Sequence, residues 1–214
     1  CHPVEEPHIA FSHENPIGRG PKRVRDTFLD RDRYHLPMEV RILGDPDGGP
    51  SVDLDHTRFS YAGKFVMTAY GKAIAEIDGS IGAAIAFNRD RTDGSTVWFR
   101  YLTVRNDLRA AGIGARLSKT VADRLFEKAI KGIKIAVNNP FAYEACHKAG
   151  FAFTGEETGL AELVLSYPSD GAADRYRTGL ERFLDRDDLG DEAQRFTQQR
   201  LKRGPPASRP EKPD

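Results

Sequence analysis

Apolar and polar positions along the chain fall into segments of two different periods. Residues 39–43 alternate and a Gly-Asp-Pro-Asp-Gly-Gly-Pro cluster at 44–50 stops them, which predicts a short first strand. Residues 52–63 are polar with scattered aromatics and predict one or two short helices. Two apolar runs, 72–77 and 80–87, flank Asp78-Gly79, a pair that suits a two-residue hairpin turn. Asp93-Gly94 then leads to residues 97–104, rich in β-branched and aromatic side chains, so three antiparallel strands should follow one another as a meander.

After this strand the period changes. Ile113, Leu117, Val121, Leu125 and Ala129 recur every four residues, with Arg116, Lys119, Asp123 and Glu127 elsewhere on the wheel, the pattern of an amphipathic helix. A strand at 133–137 precedes a helix marked at both ends: Asn139 as N-cap, Pro140 at the first position and Gly150 as the stop. Its Ala142, Ala145, Cys146 and Ala149 form a small-residue face. A last strand pair, 151–153 and 160–165, flanks an acidic loop with Glu156 and Glu157.

The two ends read differently. Residues 1–37 carry His2, His8, His13 and His35 among prolines and arginines and hold no period. They are expected to be a disordered or non-native extension, with Met38 as the native start and 38–168 as the folded domain. From 169 to 214 the chain is highly charged, yet Tyr176, Leu180, Phe183 and Leu184 fall at helical spacing and Phe196 and Leu201 suit another helix. A charged helical extension with a disordered tail is expected. It packs on the domain, mediates self-association as a homodimer, or stands in solvent.

Candidate chemistry concentrates where strand 97–104 hands over to the amphipathic helix, at Arg109-Ala110-Ala111-Gly112-Ile113-Gly114. The first helical N–H groups have no partner within the helix, the macrodipole is positive there, and glycine admits a ligand close to backbone. Such a terminus suits a pyrophosphate.

These residues resemble the GNAT family of N-acetyltransferases, whose acetyl-CoA signature is Arg or Gln-x-x-Gly-x-Gly or Ala after the fourth strand. Arg109 to Gly114 match it, and Asn139, Ala142, Gly150 and Phe151 match a second signature, an Asn-x-x-Ala helix start ending in Gly-Phe. The resemblance spans roughly residues 64–167 and implies an α/β (α+β) fold, a mixed, mostly antiparallel sheet with flanking helices. It also implies acetyl-CoA as co-substrate, no metal, and a primary amine of a small molecule or peptide as acceptor. Leu102, Thr103 and Val104 would bind the pantetheine like an added β-strand. Arg109, Ala110, Gly112, Ile113, Gly114 and Ala115 would wrap the pyrophosphate, and Asn139 would touch the CoA arm.

The side-chain catalysts depart from the family pattern. Its usual proton donor, a tyrosine seven residues after the asparagine, is replaced by Cys146, and Tyr143 lies three residues earlier near the same helix face. Either is a candidate acid. The glutamate that several relatives carry on the fourth strand is Trp98 here, and Arg100 follows, a cation that would bind a substrate carboxylate bidentately. The segment between the first two strands lines the acceptor pocket in the family and would supply Asp55, His56 and Tyr61; the candidate bases are Asp55, His56, Glu76, Glu157 or a water chain. The other function class compatible with these departures is a non-catalytic acyl-CoA-binding or regulatory module on the same fold.

Composition narrows the setting. Lysine plus arginine and aspartate plus glutamate number 32 each, so no net charge argues for nucleic acid or an anionic membrane. No apolar run approaches the roughly 20 residues of a membrane span, and the first 30 residues lack a signal-peptide core. Cys1 and Cys146 are the only cysteines, which makes a reducing cytoplasm the expected location.

Overall fold

The computed structural model describes residues 37–169 and 173–206, so the expectations for residues 1–36 and for the tail at 207–214 lie outside the described residues. In chain order the elements are β1 (Glu39–Leu43), α1 (Ala62–Met67), β2 (Gly71–Ile77), β3 (Ser80–Arg89), β4 (Thr96–Val104) and α2 (Ile113–Phe126). Then come β5 (Gly132–Val137), α3 (Pro140–Lys148), β6 (Ala152–Glu157), β7 (Leu163–Tyr167), α4 (Ala173–Leu184) and α5 (Asp191–Arg203). The strands form one sheet in the order β1-β2-β3-β4-β5-β7-β6. All neighbours are antiparallel except β4 and β5, so this is the mixed sheet with flanking helices that the sequence predicts.

Local chemistry accounts for the turns. Asp78 (φ 50°) and Gly79 (φ 72°) both occupy the left-handed region, the geometry of a hairpin turn whose twist matches its strands. Asn139 caps α3 through its Oδ1, which accepts from the Ala142 N–H at 2.9 Å.

Side chains alternate between two cores, one on each face of the sheet. Ile85, Phe87, Phe99, Leu102 and Val104 meet Leu117, Val121 and Leu125 of α2 on one face. Ala84, Ala86, Ile74 and Tyr101 lie on the other, beneath Val52, Leu54, Phe59 and Phe65. The second layer corrects the expectation of helices within 52–63: helix begins only at Ala62, and the preceding residues are an irregular cover. Asp55 Oδ1 takes the Thr57 N–H at 2.9 Å and the Thr57 hydroxyl at 2.6 Å, a local turn that competes with helix.

Among the three readings of the C-terminal extension, packing on the domain is observed. Tyr176, Leu180 and Phe183 of α4 are buried in the same core as the sheet. Gly179 permits this approach, because a Cβ there would overlap the Tyr143 ring. Helix α5 rests on α3 through Phe196 and Phe141, with ring centroids 4.6 Å apart. Buried Glu144 of α3 ties the three helices together: it accepts from the Tyr176 hydroxyl at 2.9 Å and pairs with Arg200 at 2.6 Å and Lys148 at 2.9 Å.

His147 sits in this helical layer against Tyr143 and Tyr176, with ring centroids 4.7 and 4.8 Å away, and among the described residues its Nε2 has no hydrogen-bond partner. Burial, only partly opposed by Glu144, pulls its pKa down to about 4. The unfolded chain binds a proton below about pH 6.5 that the folded chain refuses until about pH 4, so stability present above pH 6.5 is lost across that window. Between pH 7 and 4.5 His147→Gln should lose about 2 kcal/mol less stability than the parent in urea unfolding. Parallel pH profiles would sink this assignment.

Candidate active site

β4 and β5 run parallel for only four pairs, from Thr96↔Gly132 to Phe99↔Ile135. Beyond Phe99 the strands part, and from Tyr101 to Val104 β4 is paired with β3 alone. The edge of β4 that faces the opening is a row of backbone groups without a neighbouring strand. The parting coincides with a bulge, since Ala86 pairs with Tyr101 and Phe87 with Phe99, which leaves Arg100 as the extra residue.

At the C-terminal end of β4 the chain passes through a short 3-10 turn (Asn106–Leu108) into the glycine turn. Ala110 (φ 64°) and Gly112 (φ 73°) are left-handed, and Gly112 is the N-cap of α2 with no side chain to cap it. Alternating left-handed residues ahead of a helix turn successive N–H groups toward one point, a concavity for anions. Gly114 has a different task. A Cβ there would stand 3.2 Å from Val104 Cγ2, so this glycine lets α2 lie close on β4.

The expected CoA-side residues lie on the elements that flank this opening, or directly beside them. Leu102 and Val104 direct their side chains into the α2-side core and leave backbone at the edge. Thr103 is 1% exposed, and its Oγ1 meets no partner among the described residues. Arg109 Nη2 donates to the Ser60 hydroxyl at 2.9 Å, which ties its side chain to the cover segment and leaves the turn itself to backbone. Asn139 uses its Oδ1 as the helix cap and donates from Nδ2 to Asn138 Oδ1 at 3.0 Å, so its carboxamide is already engaged.

The structure places the two expected acids as follows. The Tyr143 hydroxyl points into α4, its single hydrogen shared between the Arg175 and Tyr176 carbonyls at 3.0 and 3.2 Å. Burial first, then Tyr176 and Cys146, pushes its pKa far above the ordinary tyrosine value. Cys146 is 1% exposed in the core, and burial pushes its thiol up to about 12. An ordinary thiol has a pKa of about 8.5, so proton donation from Cys146 to a departing thiolate would run uphill. Both side chains of α3 are thus engaged in packing in this structure. Tyr143→Phe should lower stability by about 1 kcal/mol through the lost hydrogen bonds while turnover per folded molecule stays near the parent's. A hundredfold fall in turnover at unchanged stability would reinstate the hydroxyl as an acid.

The expected bases are dispersed. Asp55 is taken up by Thr57, Glu76 pairs with Arg41 at 3.0 Å, and Glu157 lies 3.6 Å from Arg182.

The face opposite α2 holds a group that sequence reading only half found. Arg100 lies over the Trp98 ring at 5.1 Å and donates from Nε to Asn88 Oδ1 at 2.6 Å. Lys134, register partner of Trp98 on β5, lies 5.8 Å from the same ring. Tyr101 stacks between Tyr61 and Tyr70, each 6.5 Å away, with Lys64 at 5.8 Å from its ring. Arg100 and Tyr61 are the substrate-binding residues expected from sequence; Trp98 and Lys134 join them through strand register, and Tyr70 through its stacking on Tyr101. Burial would raise the nearby Asp90 carboxyl, but hydrogen bonds from Thr92, Trp98 and Asp93 outweigh it and hold Asp90 well below the usual carboxylate range.

Among the described residues no cluster of three or more His, Cys, Asp or Glu side chains stands where it could hold a metal ion, and no helix is long and apolar enough to cross a membrane.

The model of the acetyltransferase (GNAT) family matches residues 39–151, more than half of the 214-residue chain. No curated protein matches the sequence. Among solved structures the chain is similar to an N-acetyltransferase from Staphylococcus aureus Mu50, at 15% identity over 45% of this chain and 66% of that one, with a TM-score of 0.40. It is similar to the PaiA N-acetyltransferase of Thermoplasma acidophilum in complex with coenzyme A, at 16% identity over 44% of this chain and 58% of that one, TM-score 0.39. A third similarity is to a Bacillus subtilis acetyltransferase in complex with CoA, at 13% identity over 61% of this chain and 97% of that one, TM-score 0.48. The chain spans less than two thirds of the length of the first two.

Proposed function

The chain belongs to the acetyltransferase (GNAT) family, and from that membership we propose that it is an acetyl-CoA-dependent N-acetyltransferase acting on a primary amine. The observation that carries the reading is the opening between β4 and β5 beside a left-handed glycine turn. The residues fit the co-substrate in two ways. The backbone from Arg109 to Ala115 offers N–H groups and a positive helix terminus without side chains in the way, which suits a pyrophosphate. The β4 edge at Leu102, Thr103 and Val104 suits the amide groups of a pantetheine arm.

Acetyl-CoA, when bound, supplies an acetyl group activated as a thioester. The chain's own part is to hold, orient and polarise. A β4 backbone N–H facing the opening would donate to the thioester oxygen as negative charge develops there. The acceptor enters from the opposite face, over Arg100 and Tyr61, where it meets the cations of that face. Like charges nearby disfavour an ammonium and so favour the neutral amine that attacks, which lightens the need for a dedicated base. With the Tyr143 hydroxyl engaged by α4 and Cys146 buried, water at the opening would supply the proton for the leaving thiolate. A CoA-dependent reaction of this kind suits the cytoplasm.

Thiol release from acetyl-CoA on presentation of an amine panel tests the reading. The expected result is amine-dependent release with stoichiometric N-acetyl product. Saturable CoA binding with no release from any amine would instead support a non-catalytic acyl-CoA-binding module.

A further inference from the structure

The acceptor-side mouth is built from cations and rings, and its nearest carboxylate is already engaged. Trp98 and Lys134 form one of the last parallel pairs before β4 and β5 diverge, and Arg100 follows on the bulge. All three are only partly buried. Trp98 is held in place by Asp90 Oδ2, which accepts its indole N–H at 2.6 Å, and Asp90 Oδ1 takes the Thr92 N–H and hydroxyl and the Asp93 N–H. Asp90 is thus a brace for the ring. It forms no ion pair with Arg100.

Arg100 itself is oriented by uncharged groups, and Asp90 acts on it only through space, without an ion pair. Its Nε is anchored by the neutral carboxamide of Asn88, its plane rests on Trp98, and among the described residues no carboxylate lies within ion-pair distance of it. The terminal nitrogens of an Arg held this way form a fork that matches a carboxylate in plane and spacing. Lys134 on one side and Lys64 on the other add positive charge to the same face. A bare ammonium, such as a lysine side chain on a protein surface, is repelled here. An amine that carries its own negative charge is drawn in.

We propose that the acceptor is a small amine bearing a carboxylate close to its nitrogen, a free amino acid in chemical class, and that the Arg100 fork holds that carboxylate where β4 and β5 part. The proposal rests on the N-acetyltransferase reading. The partly exposed rings of Trp98, Tyr61 and Tyr70 favour acceptors with a flat or apolar side chain over charged ones.

The test uses the full chain saturated with CoA and a panel of standard L-amino acids, each beside its carboxamide. Binding is read from Trp98, the only tryptophan in the chain, whose emission should respond to a carboxylate seated on the stacked Arg100. Thiol release from acetyl-CoA is measured on the same panel. At least one acid should shift Trp98 emission and be turned over at least tenfold better than its carboxamide. In Arg100→Gln that preference should vanish, and in Arg100→Lys, which keeps the charge but not the fork, it should shrink; CoA affinity and melting temperature control for folding. Carboxamides that match or exceed the acids, or a preference that survives in Arg100→Gln, would overturn the proposal and leave acetyl transfer standing. Carboxylate binding with no thiol release from any amine would sink the transferase reading and keep the Arg100 site. No emission change and no turnover with any panel member would overturn both.

Discussion

Ending the chain at residue 168 is expected to abolish cooperative folding. The deleted segment looks like an appendage in composition, yet Tyr176, Leu180 and Phe183 are each no more than 1% exposed in the central core. Burial of each such side chain is worth about 1.5–3 kcal/mol, and a domain of this size holds only about 5–15 kcal/mol in total. Removal also strips Glu144 of Tyr176 and Arg200, leaving a buried carboxylate with Lys148 alone, and leaves the Tyr143 hydroxyl without its two carbonyl partners. An unpaired buried charge is among the more costly defects a core can carry. Thermal melts followed by circular dichroism should show no sharp transition, or one lowered by more than 10 °C on the scale of about 4 °C per kcal/mol. A truncated protein that melts within a few degrees of the parent would show that the extension contributes little.

Gly112→Val is expected to weaken CoA binding at least tenfold, about 1.4 kcal/mol. At φ 73° a β-branched residue is strained, and relief of that strain rotates the N–H groups that face the anion. Gly79 supplies the control, since it has nearly the same φ, 72°, and lies in a hairpin turn where an added Cβ would meet nothing within 4 Å. Gly79→Val should suffer a comparable loss of stability and leave CoA affinity intact. Calorimetry that finds equal affinities in the parent and Gly112→Val would remove the pyrophosphate from this turn.

The course of the chain through its central elements was legible in sequence because the signals are local. Asp78-Gly79 requires a left-handed pair wherever it occurs between strands, Asn139 and Pro140 open a helix through their own side chains, and the four-residue recurrence from Ile113 needs only one helix to be visible. The segment 52–61 misled for the same reason, because its apolar residues answer to the sheet face beneath them and follow no period of their own.

The site divides along the same line. Sequence by itself determined the glycine turn and its place between a strand and a helix, since backbone conformation there depends on a few adjacent residues. Tertiary structure decided which groups meet. Tyr143 and Cys146 look alike on a helical wheel as donors facing a thioester, but α4 approaches over Gly179 and captures the tyrosine hydroxyl, while the thiol is sealed in the core. Trp98, Arg100 and Lys134 become neighbours only through the bulge in β4 and the register of β4 on β5. Register and helix docking are set by the summed packing of side chains far apart in the chain, and a one-residue change would turn each of these groups to the other face, which is why no local pattern announces them.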